Sequence, residues 1–316
     1  MGIIIPSIFL VVSLIFLVKF ADIFTGASEK IGLYLGLSSF VVGATIVSMG
    51  SSLPELTTSL ISVLSDNVSQ VNFTIDNIIG SNIANILLVS SIATIAVGTL
   101  RVKERLINID LPLFFISTGL FLIFIMDRIF TWREGIISLI LMVLFIIYTI
   151  KNETAQSTNK QQAKRIKITW KEFSLVILGS LGVYFSAKYT VSNVLVIARQ
   201  IPGINTSLLT MIIVALGTSL PEIAVSVRAA LQGKHSVALG NIFGSNTFNV
   251  LVVAGVPSFF KDLKVSDQAF YVGIPFLIIS TFGFIFITHD DKIPKWEGYA
   301  LLVVYLAFAG KLLGVV

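Results

Sequence analysis

Apolar stretches of about 20 residues recur along the whole chain, and they constrain its fold more than any other feature. A helix of about 20 apolar residues crosses the roughly 30 Å hydrocarbon core of a bilayer and satisfies its own backbone hydrogen bonds there. Only 12% of the 316 residues are charged, about half the share in a soluble domain. The stretches are too long for the alternating strands of a membrane barrel. The sequence therefore predicts an all-α integral membrane protein with the lipid bilayer as a partner.

Ten transmembrane helices are predicted from these stretches. One polar segment, residues 151–171, separates five helices from the other five, so we expect a first repeat at 1–150, a cytoplasmic linker, and a second repeat at 172–316. Two predicted helices are longer than a membrane crossing needs and contain a proline, and we expect both to be bent or interrupted. The predicted spans are 3–20, 37–62, 73–98, 108–126, 130–150, 172–190, 203–231, 237–259, 268–288 and 296–315.

Two short motifs occur in both halves of the chain. GSSLPE at 50–55 matches GTSLPE at 217–222, and GSNIAN at 80–85 matches GSNTFN at 244–249. Because each half has an odd number of predicted helices, the second copy enters the membrane in the opposite direction. The sequence therefore predicts two five-helix inverted-topology repeats, an architecture of secondary transporters whose substrate site lies near the membrane midplane.

The first motif places a glutamate and a proline where a membrane makes both costly. Pro54 and Pro221 have no N–H, so each frees a carbonyl in the preceding turn. Glu55 and Glu222 each cost about 2.5 kcal/mol or more when ionised at the membrane centre. A hard cation relieves both costs, since Ca²⁺ binds six to eight oxygen atoms of carboxylates, amides and carbonyls. Zinc and copper prefer Cys and His, but the chain has no Cys and its two His fall in predicted loops.

The charge of the two glutamates suggests a transport cycle. Two ionised carboxylates are neutralised by one Ca²⁺, by two Na⁺ or by two protons. If the empty site is too costly to move through the closed intermediate, the protein changes orientation only when loaded, which makes it an antiporter. Motifs of an intramembrane hydrolase are lacking, so we expect a secondary transporter and not an enzyme, with no cofactor. The expected transported ions are Ca²⁺ and, in exchange, Na⁺ or protons.

These paired motifs resemble the two α-repeats of the sodium/calcium exchanger family within the cation/calcium exchanger superfamily. The resemblance covers all ten predicted helices and implies a Ca²⁺ site centred on Glu55 and Glu222. It also implies that Asn85 and Asn249 occupy the polar position of the second motif. The Na⁺ sites that it implies draw on side chains of Ser51, Ser52, Ser81, Thr218, Ser219 and Ser245 and on the backbone carbonyls of Ser48 and Ala215.

Two departures from the family and one alternative function stay open. Many sodium/calcium exchangers have an aspartate where this chain has Asn249, so the central charge here is −2. Asp76 stands where the second repeat has Gly240 and is either a helix N-cap, the interpretation we favour, or an acid at the outer entrance. The alternative function is a H⁺/Ca²⁺ antiporter that uses the same two glutamates.

The distribution of basic residues predicts the orientation. If the first helix starts outside, most of the 22 Lys and Arg fall in loops on the cytoplasmic side, as the positive-inside rule requires. We therefore expect a multi-pass protein of the cell membrane with both termini outside. The net charge of +5 has this membrane explanation, so we expect no nucleic-acid partner. We also expect the protein to work as a monomer.

Overall fold

The computed structural model describes residues 4–64, 73–101, 110–156, 168–198, 217, 219–290 and 292–314. These residues are mainly helical, which confirms the predicted all-α class. The helices are α1 (Ile4–Tyr34), α2 (Ser39–Val42), α3 (Ser48–Ser51), α4 (Leu53–Leu64), α5 (Phe73–Ala84), α6 (Ser90–Val97), α7 (Asp110–Phe124), α8 (Trp132–Gln156), α9 (Trp170–Ala198), α10 (Leu220–Leu231), α11 (His235–Phe248), α12 (Ile274–Thr288) and α13 (Lys295–Leu312). Shorter elements are the π-helical turns π1 (Gly43–Val47), π2 (Asn85–Val89), π3 (Asn249–Val253) and π4 (Ala269–Gly273), the 3₁₀ turn Pro257–Phe259, and the strands β1 (Thr99–Arg101), β2 (Ile129–Phe130), β3 (Leu263–Lys264) and β4 (Lys292–Pro294).

Six helical segments in the described part of the chain are long and apolar enough to cross a membrane. They are Ile4–Tyr34, Thr74–Val97, Trp132–Thr149, Trp170–Ile197, His235–Phe259 and Ala269–Thr288, and a shorter apolar helix covers Pro112–Phe124. The predicted span 203–231 is described only at residue 217 and from residue 219 onward. The number of ten helices therefore stays a prediction.

The membrane-length helices differ sharply in burial. The most apolar part of His235–Phe259 is 94% buried within the protein, whereas that of Ile4–Tyr34 is 17% buried. Side chains such as Ile8, Val11 and Ile15 point away from the bundle on α1. A helix buried by other helices occupies the centre, and one with a wide exposed apolar surface faces lipid. The segment that carries the second GSN motif is therefore central.

Helix α1 continues well past the predicted end at residue 20. It runs to Tyr34 because the extra turns bury Phe24 and Ile31 against other helices. The charged residues of this part of α1 also have partners, since Asp22 pairs with Arg228 and Glu29 pairs with Lys234. The predicted boundary was wrong because it followed the apolar run, whereas paired charges allow the helix to continue.

The two ends of the bundle are each joined by contacts between the halves of the chain. At one end β1 pairs antiparallel with β4, and the Arg101 N–H lies 3.5 Å from Nδ1 of His235. At the other end β2 pairs antiparallel with β3, and Arg128 forms an ion pair with Asp267. The loops that meet at each end are loops predicted to share one side of the membrane.

The motif segments of the two halves cross in the centre with little between their backbones. A Cβ atom on Gly43 would lie 3.0 Å from the Asn241 nitrogen, and one on Gly244 would lie 2.7 Å from the Ala44 carbonyl carbon. A Cβ atom on Gly240 would lie 2.9 Å from the Ala44 nitrogen. Real side chains almost never approach backbone so closely. Glycine therefore sets the distance between π1 and α11, which brings the two motif segments together.

Candidate functional site

Each copy of the LPE motif begins a new helix after a break. Ser52 lies between α3 and α4 with φ −93° and ψ 7°, and Ser219 precedes α10 with φ −90° and ψ 1°. The following proline stands in the first turn of the new helix, where a missing N–H costs nothing. The predicted interruption of the first motif helix is confirmed, and the second motif has the same backbone angles at its serine.

The carbonyl freed by Pro54 has a protein partner. Pro54 cannot donate to the carbonyl four residues earlier, which belongs to Gly50. The Ser180 hydroxyl of α9 donates to this oxygen at 2.7 Å. The Ser48 carbonyl, a predicted Na⁺ ligand, accepts the helical hydrogen bond of the Ser52 N–H at 3.0 Å. The Ser51 hydroxyl also lies 3.3 Å from this oxygen, so both lone pairs of the Ser48 carbonyl have a donor within the protein.

The two glutamates lie in the protein interior. Glu55 is 2% exposed and Glu222 is 1% exposed, and the described residues form no ion pair with either carboxylate. The Ser52 hydroxyl donates to Oε1 of Glu222 at 3.0 Å. Oε2 of each glutamate is buried without a hydrogen-bond partner. A buried carboxylate costs much free energy unless it binds a proton or a cation, so each of these two carboxyl groups is a candidate to bind either.

The two asparagines of the GSN motif occupy matching positions in the two halves. Asn85 begins π2 and Asn249 begins π3, and both side chains are buried. Helix α10, which carries Glu222, packs on π2, while α4, which carries Glu55, packs on π3. Each glutamate helix thus contacts the asparagine turn of the other half. Single π-helical turns often occur at functional sites because they displace side chains from the regular helical face.

Four of the predicted serine ligands already have partners within the protein. Ser51 Oγ donates to Oδ1 of Asn241 at 3.1 Å and lies 3.4 Å from Oγ of Ser245. Ser48 Oγ donates to the Ala44 carbonyl at 2.9 Å. Ser52 bonds to Glu222, as described above. The hydroxyls of Ser51, Ser52 and Ser245 join the motif segments of the two halves, whereas that of Ser48 bonds within its own segment. Each hydroxyl keeps a lone pair that can bind an ion.

The hydrogen bonds around the glutamates are not equivalent in the two halves. In the second half, Nδ2 of Asn241 donates to Oγ of Ser226 at 2.9 Å. Asn77 and Ser59 occupy the matching positions of the first half, and there Nδ2 and Oγ are both buried without a partner. The Asn241–Ser226 hydrogen bond of the second half therefore has no counterpart between Asn77 and Ser59 in the described structure.

Six predicted site residues have a buried side-chain oxygen with no hydrogen-bond partner among the described residues. Two are carboxylate oxygens, two are amide oxygens and two are hydroxyl oxygens. The atoms are Oε2 of Glu55 and Glu222, Oδ1 of Asn85 and Asn249, and Oγ of Ser81 and Ser219. Carboxylate and amide oxygens are the ligands of Ca²⁺. The remaining predictions, Thr218 and Ala215, lie outside the described residues.

Asp76 is not a helix N-cap. Helix α5 begins at Phe73, so Asp76 lies within its first turn, where the helix dipole favours a negative charge. Its Oδ1 accepts a hydrogen bond from the Ser266 N–H at 3.4 Å. The predicted cap is therefore wrong, because α5 begins at residue 73, as the predicted span 73–98 does, and Asp76 lies inside the helix and not before it.

Two residues that contact the motif segments are not among the site residues predicted from the sequence. Ser180 lies in an apolar helix far from both motifs, and nothing in the local sequence distinguishes it from a packing serine. Asn82 is the third residue of the first GSN motif. It directly follows Ser81, which shares one helix face with Asn77 and Asn85 because the three are spaced four residues apart. Its partners belong to the other half of the chain, and the repetition of Asn82 at Asn246 was the available signal.

Comparisons with known proteins agree with this arrangement. A sequence model of the family described as "Sodium/calcium exchanger protein" matches residues 5–151 and 171–313. The sodium/calcium exchanger MaX1 of Methanosarcina acetivorans is 30% identical in an alignment of 340 residues, gaps included, that covers 95% of this chain and 96% of the relative. The putative antiporter CaxA of Alkalimonas amylolytica is 30% identical, over 96% of this chain and 97% of the relative.

A solved structure supports the same assignment at the level of the fold. The sodium-calcium exchanger NCX_Mj, soaked without Na⁺ and Ca²⁺, superimposes with a TM-score of 0.81 and 29% identity. The match covers 98% of this chain and 99% of that chain. The family model spans both halves and the relatives match nearly end to end, so the chain belongs to the sodium/calcium exchanger protein family and is a multi-pass membrane transporter.

Proposed function

We propose that the protein is a secondary active antiporter that exchanges Na⁺ for Ca²⁺ by alternating access to one central site. The observation that carries the proposal is the set of six buried oxygen atoms of the motif residues, two of them on Glu55 and Glu222, that have no hydrogen-bond partner in the described part of the chain. Six to eight oxygen ligands at about 2.3–2.6 Å are what Ca²⁺ requires. The two halves contribute equally to this set, as expected for a site between inverted repeats.

The charges of the site supply the coupling between the two ions. Both carboxylates lie in the interior, and no cationic side chain neutralises them among the described residues. Moving two uncompensated charges through a closed state is costly. One Ca²⁺ or two Na⁺ remove that cost, so the loaded protein changes orientation more readily than the empty one. Such a restriction converts a carrier into an exchanger.

Sodium is proposed as the counter-ion because hydroxyl oxygens accompany the carboxylates. Ser51, Ser52, Ser81, Ser219 and Ser245 are all buried near the motif segments. Protons would need only the two carboxylates, whereas Na⁺ needs additional neutral oxygen ligands.

We further propose that residues 1–150 and 172–316 form the two repeats of the transporter, that both termini lie outside a cell membrane, and that a monomer suffices for transport. Labelling of the termini by membrane-impermeant reagents tests the orientation.

Calcium uptake into proteoliposomes tests the counter-ion. Vesicles loaded with Na⁺ and diluted into sodium-free medium should take up Ca²⁺, and an imposed pH gradient alone should not drive uptake. Uptake that follows the pH gradient and ignores sodium would replace this proposal with H⁺/Ca²⁺ exchange.

Neutral variants of the two glutamates test the site. We expect Glu55→Gln and Glu222→Gln to lose sodium-driven calcium uptake, because removing one partner of a buried charged set costs about 3–5 kcal/mol, more than a hundredfold in affinity. Glu29→Gln removes a carboxylate at the end of the bundle and serves as the matched control with near-normal transport. Size-exclusion profiles establish that all variants are folded. Near-normal flux in either central variant would place the site elsewhere.

A further inference from the structure

Asn82 connects the two halves of the chain through both ends of its side-chain amide. The residue is fully buried. Its Nδ2 donates to the backbone carbonyl of Asn246 at 3.2 Å. Its Oδ1 accepts a hydrogen bond from Nδ2 of Asn249 at 3.1 Å. Asn82 belongs to α5 in the first half, whereas both partners lie at the junction of α11 and π3 in the second half.

The chemistry of these partners fixes which way each amide points. A backbone carbonyl can only accept a hydrogen bond, so Asn82 must turn its amino group toward Asn246. Its oxygen then faces Asn249. Two amide oxygens cannot bond to each other, so Asn249 must turn its own amino group toward Asn82. The Asn249 oxygen consequently points away from Asn82, and it is buried with no hydrogen-bond partner among the residues that the structure describes.

An asparagine in an ion site is useful in only one of its two orientations. Its carbonyl oxygen attracts a cation, whereas its amino group carries partial positive charge and repels one. Rotation of the terminal amide by half a turn exchanges the two groups, and the broad terminal torsion of asparagine permits it. A neighbour that accepts only from the amino group therefore selects the orientation that can bind a cation.

The matching interaction is absent from the described part of the other half. Asn246 is the equivalent of Asn82, and its Nδ2 donates to the Ile242 carbonyl of its own helix at 2.7 Å. Its Oδ1 has no partner. The orientation of Asn249 is thus controlled across the repeats, and this control is a property of one half only.

We propose that Asn82 is a positioning residue that holds the Asn249 amide with its oxygen presented to the transported cation. This inference rests on the proposed exchange at the central site. It explains how a neutral side chain serves at a position where many family members have an aspartate. A carboxylate has two equivalent oxygens and needs no such selection, whereas an amide must be oriented.

A double-mutant cycle on calcium uptake tests the proposal. Asn82→Ala should raise the KM for Ca²⁺ about three- to tenfold, the range that corresponds to one hydrogen bond, with the maximal rate largely kept. In the Asn249→Ala background the same substitution should change the KM little, since no amide remains to be oriented. Asn246→Ala is the control for losing a buried amide at the matching position, and it should leave the KM near that of the unmodified protein.

Two results would overturn the proposal. One is an unchanged KM in Asn82→Ala. The other is an equal rise of the KM with and without Asn249, which would indicate a general structural effect. If Asn82→Ala does not fold, Asn82→Leu fills the space without either hydrogen bond and enters the same cycle. The cycle uses only the KM for Ca²⁺, so it remains decisive if uptake proves to be driven by protons, the result that removes the proposed sodium coupling.

Discussion

The same substitution should impair the protein at one glycine of the GSN motif and leave it unchanged at the equivalent glycine of the other half. A Cβ atom on Gly244 would lie 2.7 Å from the Ala44 carbonyl carbon and 2.5 Å from Oγ of Ser48. A Cβ atom on Gly80 would meet no atom within 4 Å. Ordinary contact begins at 3.4 Å, so in Gly244→Ala the segments α11 and π1 must separate by about 0.7 Å or more. Gly80→Ala requires no movement.

The expected cost follows from that separation. Overpacking of a close interior contact costs about 1–3 kcal/mol, and α11 carries Ser245 in the residue next to the substitution. Asn249, which directly follows α11, is a proposed Ca²⁺ ligand, and because such ligands lie at about 2.3–2.6 Å from the ion, a shift of this size should weaken Ca²⁺ binding. We therefore expect Gly244→Ala to melt at a lower temperature and to bind Ca²⁺ about 5- to 100-fold more weakly. Gly80→Ala should resemble the unmodified protein.

Thermal unfolding in detergent measures the melting temperature, and the calcium dependence of uptake in proteoliposomes measures the strength of Ca²⁺ binding. The Gly80 variant controls for loss of a glycine in a membrane helix, since both positions precede the same Ser-Asn pair. The reasoning would be refuted by a Gly244→Ala protein with unchanged melting temperature and unchanged calcium dependence. Equal defects in the two variants would also refute it, because the backbone approach exists at only one of the two positions.

Two further substitutions examine single interactions. Ser52→Ala removes the hydroxyl that donates to Glu222, and a hydrogen bond to a charged group contributes about 1.5–3 kcal/mol, so the KM for Ca²⁺ should rise about tenfold or more. Thr57→Ala, whose hydroxyl bonds within its own helix, should leave the KM unchanged; equal values in both variants would contradict the assignment. Arg228→Ala breaks the pair with Asp22, in which both side chains are about one-third exposed. Exposed pairs contribute up to about 1 kcal/mol, so the melting temperature should fall slightly, less at high salt, and a loss of several kcal/mol would show that the pair is more than a surface contact.

The interruption of the motif helices could be predicted because its cause is local. Proline and the serine before it determine where α4 begins, and the repeated motif predicts the same break before α10. Burial of Glu55 and Glu222 also followed from sequence, since both stand within long apolar runs. These features depend on residue type and on spacing along one segment, and both are visible in the printed chain.

Other features depend on contacts between distant segments and could not be predicted. The π-helical turns that begin at Asn85 and Asn249 have no distinguishing residue pattern. The partner of the Gly50 carbonyl is Ser180, which is 130 positions away. The extension of α1 to Tyr34 is accompanied by ion pairs of Asp22, Glu29 and Lys30, whose partners are Arg228 in α10, Lys234 just before α11 and Glu172 in α9. A pattern within one segment does not contain such partners.

The strand pairs at the two ends of the bundle connect the two halves of the chain independently of the peptide segment that links them. β1 and β2 come from the first half and pair with β4 and β3 of the second. The halves are therefore fastened to each other at both membrane surfaces as well as through the glycine contacts in the centre. A peptide bond cut between residues 157 and 167 removes the one covalent connection between them without touching any of these contacts. We therefore expect the two halves to stay associated after such a cut, held together by the contacts in the interior and at both ends of the bundle.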